Sequence, residues 1–208
     1  MSRKLIKSDD SENTLGMGPV KIYKKNISQL YEFYISGTIE PPEQYTEVFD
    51  IIRHCTPNDT VKIYINSGGG DLFTAIQFMR VLSETEATVV CSVEGICASA
   101  ATIIFLCADQ YELTNHSSFL FHNYSSGVYG KGGEQYDQII HERKWSDALL
   151  HEIYEGFLTQ DEITSLLSNK DIWLSTDEVA IRMKARALAM QELLELEEAT
   201  KPEKEQDE

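Results

Sequence analysis

Apolar and polar positions along this chain alternate between two periods. Tyr31-Glu32-Phe33-Tyr34-Ile35-Ser36-Gly37-Thr38 reads as a strand with Gly37 at its end. Pro41-Pro42 then opens a helix in which Tyr45, Val48, Phe49, Ile51 and Ile52 fall close to helical spacing. Pro57-Asn58-Asp59 is a turn, Val61 to Asn66 the next strand, and Ser67-Gly68-Gly69-Gly70-Asp71 the loop after it. Leu72 to Leu82 predicts a helix with Leu72, Ala75, Ile76, Met79 and Leu82 on one face.

The unit then repeats. Ala87 to Val93 is β-rich, a glycine follows at Gly95, and an apolar helical run extends from Ala98 to Cys107. Two short strands follow, around Gln110–Leu113 and Phe119–Phe121. A long helix is expected over about 133–158, with Tyr136, Ile139, Ile140, Leu149, Leu150, Ile153, Tyr154 and Phe157 among its apolar positions. Shorter helices over 160–168 and 176–197 flank an extended Ile172-Trp173-Leu174. Repeated β–β–α or β–α units of this kind predict an α/β protein whose parallel sheets are covered by helices.

Composition narrows the class. With 208 residues, 42% hydrophobic and 25% charged, the chain suits one well-packed domain. We expect a flexible N-terminal segment over 1–18, one domain over 19–190 and an acidic tail over 191–208. Eight acids and two lysines between Glu192 and Glu208 contribute −6 of a net charge of −16. That balance argues against nucleic acid as the main partner. No run of 18 apolar residues predicts a membrane span, and no apolar stretch follows Met1-Ser2-Arg3-Lys4 as in a signal peptide, so a cytoplasmic protein is expected. The four cysteines, Cys55, Cys91, Cys97 and Cys107, lie in or beside apolar runs without a C-x-x-C pair and read as buried reduced thiols.

Candidate chemistry centres on Ser99, at the joint between the Ala87–Val93 strand region and the apolar helix. A hydroxyl there faces free backbone N–H groups that can stabilise an oxyanion, although serine is also an ordinary helix N-cap. Gly68-Gly69-Gly70 lets the backbone approach a ligand closely, and no Gly-Lys-Ser/Thr follows to make it a phosphate loop. His122 ends an apolar strand and is a candidate general base. Asp171 precedes Ile172-Trp173-Leu174 and is suited to orienting an imidazole. Cys97 is a rival nucleophile read as a packing residue, and Asp177 a rival acid whose Ser175-Thr176-Asp177-Glu178 context reads as a helix start. Spacing alone does not single out a triad.

These segments resemble the ClpP family, the proteolytic subunits of the Clp protease. Ile65-Asn66-Ser67-Gly68-Gly69-Gly70 is similar to the family's I-N-S-P-G-G, and Gly95-Ile96-Cys97-Ala98-Ser99-Ala100-Ala101 to G-x-A-A-S-M-G. Phe121-His122-Asn123 with Gly127 is similar to I-H-Q-P-x-G, and Asp171-Ile172-Trp173-Leu174-Ser175 to R-D-x-F-x-S-A. The four occur in the family's order, across about residues 28 to 185.

The resemblance implies a ClpP/crotonase-like α/β fold with a long protruding helix. It implies a serine endopeptidase with Ser99 as nucleophile, His122 as base, Asp171 as orienting acid, and Gly70 and Ala100 as oxyanion donors. Gly68, Gly69, Asp71, Leu72 and Ser125 would bind the peptide as an added strand. Heptameric rings stacked as a tetradecamer, an AAA+ unfoldase as partner, and no cofactor are also implied. The chain departs from the family at Gly68 (Pro), Ala100 (Met), Ala101 (Gly) and Ile181-Arg182-Met183-Lys184-Ala185. The alternatives are a crotonase-type acyl-CoA hydratase or isomerase, for which Glu94 is the only acid near the Ser99 loop, and a catalytically silent ring subunit.

Overall fold

The structure, a computed structural model, describes residues 27–200; the expected N-terminal segment 1–18 and the last eight residues of the acidic tail lie outside them. Six strands form one sheet: β1 (Leu30–Ile39), β2 (Thr60–Gly70), β3 (Thr88–Ala98), β4 (Gln110–Leu113), β5 (Ser118–Phe121) and β6 (Ile172–Ser175). Their order is β1-β2-β3-β5-β6, with β4 also paired to β3. Every pairing is parallel except β5 with β6. The helices are α1 (Thr46–Arg53), α2 (Leu72–Glu84), α3 (Ala100–Phe105), α4 (Gly132–Tyr154), α5 (Gln160–Leu167) and α6 (Thr176–Thr200).

Strand alternation decides the faces. Val61, Ile63 and Ile65 of β2 are fully buried, as are Val93 and Cys91 of β3, and they pack in one core with Phe49, Ile52, Phe78 and Val81 of α1 and α2. The opposite face of β2 carries Lys62 and Tyr64. There Tyr64 stacks on Tyr34 at 4.6 Å, and Lys62 pairs with Glu112 at 2.9 Å. In α2 the buried stripe is Thr74, Ala75, Phe78, Val81 and Leu82, so Ile76 and Met79, expected on the core face, are only half-buried. Phe78 draws that stripe inward through edge-on contacts with Phe49 at 4.8 Å and Tyr45 at 5.4 Å.

Two strands run further than the local signals indicated. β2 continues through Ser67-Gly68-Gly69-Gly70, which is therefore not a loop, and β3 continues past Gly95 to Ala98. The register explains how glycines stay in a ladder. Gly37 pairs with Ser67 and Thr38 with Gly69, leaving Gly68 as a bulge, while Ser67 Oγ donates to the Gly37 carbonyl at 2.5 Å and accepts from Gly69 N at 3.0 Å.

The long helix stops at Tyr154, short of 158, and Phe157 and Leu158 turn back into the core. Its Tyr136, Ile139 and Ile140 are exposed, whereas Leu150 and Tyr154 are buried, so α4 projects from the core along its first half. α6 begins as expected: Ser175 N and Oγ both donate to the Glu178 carboxylate, at 2.8 and 2.7 Å. It runs on to Thr200, across the boundary expected at 190.

Candidate active site

The N-cap explanation of Ser99 does not survive in the structure. Ser99 stands at the N-cap position of α3, yet its side chain makes no cap hydrogen bond. Its backbone has φ 55° and ψ −128°, a region that non-glycine residues rarely enter. The turn is held from both sides. Ser99 N donates to the Leu120 carbonyl on β5 at 2.9 Å, and the Ser99 carbonyl accepts from Thr102 N at 2.9 Å and Thr102 Oγ1 at 2.7 Å. The hydroxyl is left free of local duties.

The glycine strand lies against this turn. Gly69 has φ 94°, and a Cβ there would meet the Ser99 Cβ at 2.6 Å, the Ala98 carbonyl oxygen at 2.7 Å and Ala100 N at 3.0 Å. Gly70 has φ 152° and is crowded by the backbone of its β1 partner Ile39. Ala100, the first residue of α3, has an N–H with no intrahelical acceptor.

His122 follows β5 directly, carried to the site by the Ala98–Leu120 register pair and the Ser99–Leu120 hydrogen bond. On the other side of β5, Phe121 pairs with Ile172, so the antiparallel register sets Asp171 beside His122. Asn123 fastens the same neighbourhood: its Nδ2 donates to Asn169 Oδ1 at 2.9 Å, two residues before Asp171.

These elements enclose a cleft of about 770 Å³. Of the residues singled out in the sequence, Ser99, His122, Gly70, Ala100, Asp71, Leu72 and Ser125 line it, whereas Gly68, Gly69 and Asp171 do not. Gly69 acts from behind, by its closeness to Ser99. Asp71 lines the cleft, but its carboxylate accepts from Thr74 N at 2.7 Å as the N-cap of α2, and its own N–H donates to the Ile39 carbonyl at 2.8 Å. Asp171 is exposed, and among the described residues no hydrogen bond joins Ser99 Oγ, the His122 ring and the Asp171 carboxylate. Catalytic hydrogen bonds are often long before substrate binds.

The rivals are disposed of differently. Cys97 is wholly buried, and burial pushes its thiol well above the ordinary range. Asp177 lies in the first turn of α6. The cleft also holds groups that the sequence reading passed over. Trp145 and Phe73 stack at 5.7 Å on its wall, and His141 and Glu142 line it from α4. Glu142, half-buried, accepts from Ser126 Oγ at 2.6 Å, but no local motif marked it; only the approach of α4 to the sheet does so. Among the described residues no group of three or more His, Cys, Asp or Glu is placed to hold a metal ion, and no helix is long and apolar enough to cross a membrane.

Comparison with known proteins bears on the fold and the family. No curated protein matches the chain. Among solved structures, a point mutant of ClpP1 from Listeria monocytogenes superposes with a TM-score of 0.57 at 22% sequence identity, covering 73% of this chain and 86% of that one, which is a likeness of fold. The family model described as Clp protease matches residues 41–183, a span holding β2 with its glycines, the Ser99 turn, His122 and Asp171. The chain belongs to the Clp protease family.

Proposed function

We propose that this chain is a serine endopeptidase that cleaves peptide bonds through an acyl-enzyme. The observation that carries the reading is the strained Ser99 turn, which leaves an uncapped hydroxyl on a cleft shared with His122, Gly70 and Ala100. His122 takes the Ser99 proton as Oγ attacks the scissile carbonyl, and the N–H groups of Gly70 and Ala100 receive the oxyanion. His122 then protonates the leaving amine, and water, activated by the same imidazole, releases the acyl group. Asp171, beside His122 in the β5–β6 register, orients the imidazole.

The peptide lies as an added strand along Gly68, Gly69, Asp71 and Leu72 on one side and Ser125 on the other. Stacked heptameric rings, forming a tetradecamer, enclose the sites. The exposed Tyr136, Ile139 and Ile140 of α4 support assembly through that helix. Protein substrates delivered by an AAA+ unfoldase in the cytoplasm complete the proposal, and the chemistry requires no cofactor.

Asp171, exposed and unbonded, favours one competing reading, a catalytically silent ring subunit. A fluorophosphonate separates the two. It should label the assembled protein at Ser99 and fail on Ser99→Ala; no labelling of a folded wild-type ring overturns the peptidase.

A further inference from the structure

Behind the Ser99 turn runs a chain of hydroxyls wholly inside the protein. Thr102 is fully buried on α3, and its hydroxyl donates to the Ser99 carbonyl at 2.7 Å. A hydroxyl has a single proton, so Thr102 Oγ1 accepts at its other contact, 2.8 Å from the Tyr154 hydroxyl, and Tyr154 is the donor there. Tyr154 is 1% exposed at the end of α4, and burial pushes its phenol up to about 12, so it stays protonated and donating. The same ring stands edge-on to Phe121, at 5.4 Å and 82°, and Phe121 immediately precedes His122.

Resting on the peptidase reading above, we propose that Tyr154 and Thr102 are positioning residues that hold nucleophile and base in one frame. The hydroxyl relay fixes the Ser99 peptide plane in its rare conformation, and the Tyr154 ring, packed on Phe121, fixes the end of the strand that carries His122. Thr102 does not line the cleft, and Tyr154, which does, is 1% exposed with its hydroxyl turned to Thr102. Backbone strain persists only where surrounding contacts over-determine it, and the Ser99 carbonyl has two donors, both from Thr102. Without the relay the Ser99 turn relaxes toward ordinary dihedrals, and its Oγ leaves the line of attack. A misplacement of that size is costly in rate.

The test compares the rate of fluorophosphonate labelling, and kcat and KM for a small peptide, in wild type, Thr102→Val, Thr102→Ser and Tyr154→Phe. Thr102→Val keeps the shape and removes the relay. Its labelling and kcat should fall about tenfold or more with KM little changed. Thr102→Ser, which restores the hydroxyl, should return to within about threefold of wild type. Tyr154→Phe keeps the ring against Phe121 and should show an intermediate loss. The double variant Thr102→Val/Tyr154→Phe should be no slower than Thr102→Val alone, because both changes break one relay. If Thr102→Val does not fold, Tyr154→Phe against wild type carries the comparison. Folded variants that label at the wild-type rate, or a Thr102→Ser as slow as Thr102→Val, overturn the inference alone. A folded wild type that takes no label overturns the peptidase reading and the inference with it.

Discussion

Gly69 lies flat against Ser99, so close that a Cβ at position 69 would come 2.6 Å from the Ser99 Cβ. The neighbouring Gly68 meets nothing within 4 Å. Two adjacent glycines in one strand therefore carry different constraints. Gly69→Ala should destabilise the fold by at least about 2 kcal/mol, since it combines a clash against backbone with a φ that alanine resists. Labelling at Ser99 should be lost in the same variant. Gly68→Ala should stay within about 0.5 kcal/mol of wild type and remain active. Denaturant unfolding of the two variants checks the contrast, and equal losses would show that the bulge at Gly68 needs glycine after all.

On the proposed mechanism, removing His122 should cost as much as removing Ser99, because members of a catalytic triad act as a unit. His122→Ala is expected to lower peptide hydrolysis by about three orders of magnitude or more. Steady-state assays on folded, assembled protein decide this. Near wild-type turnover would remove His122 from the mechanism.

Cys97 sits two residues before Ser99 and is completely buried, with its thiol held protonated by that burial. Native protein should resist iodoacetamide at Cys97 and react there after unfolding. Cys97→Ala should keep fluorophosphonate labelling. Mass spectrometry of labelled peptides reads both outcomes, and rapid alkylation of native Cys97 would revive it as a nucleophile.

Arg182 closes on Glu162 with two parallel hydrogen bonds, of 2.7 and 2.8 Å, and ties α6 to α5. The Arg182 guanidinium and then the Thr159 donors hold the Glu162 carboxyl down to about 2, against 4.5 for the unperturbed group. A folded value below the unfolded one gives stability that is complete above about pH 5 and is lost as pH falls toward 2. With the pair partly open to solvent, that contribution is about 1–2 kcal/mol. Glu162→Gln should lose it at pH 7 and show a flatter stability curve between about pH 5 and 2. Urea melts across that range test it; parallel curves for the two proteins would refute the assignment.

Most of the secondary structure was legible because strand alternation and helical spacing are local. The short signals misled where tertiary pairing overrode them. Ser67 to Gly70 has loop composition, but β1 supplies partners to Ser67, Gly69 and Gly70, and β3 pairs Cys97 with Ser67, which keeps the segment extended. Ile76 and Met79 have core chemistry, but Phe78 meets Phe49 and Tyr45, and that contact sets the rotation of α2. The second half of the cleft was invisible for another reason. Trp145, His141 and Glu142 occupy ordinary positions on a helix, and only the docking of α4 beside the Ser99 turn makes them walls of a site.

By itself the sequence determined the α/β class and the order of its elements, since these follow from periodicity, and its resemblance to a family put forward Ser99, His122 and Asp171 as candidate nucleophile, base and acid. It left the role of Ser99 open between cap and nucleophile, because both place a hydroxyl at the start of a helix. Tertiary structure removed the cap, since the Ser99 side chain makes no cap hydrogen bond. Gly69 pressed from one side, Leu120 and Thr102 bonded from the others, and together they force a φ of 55° that carries the hydroxyl away from the cap position and onto the cleft. Such a conformation is the sum of contacts distant in sequence, and no local pattern records it.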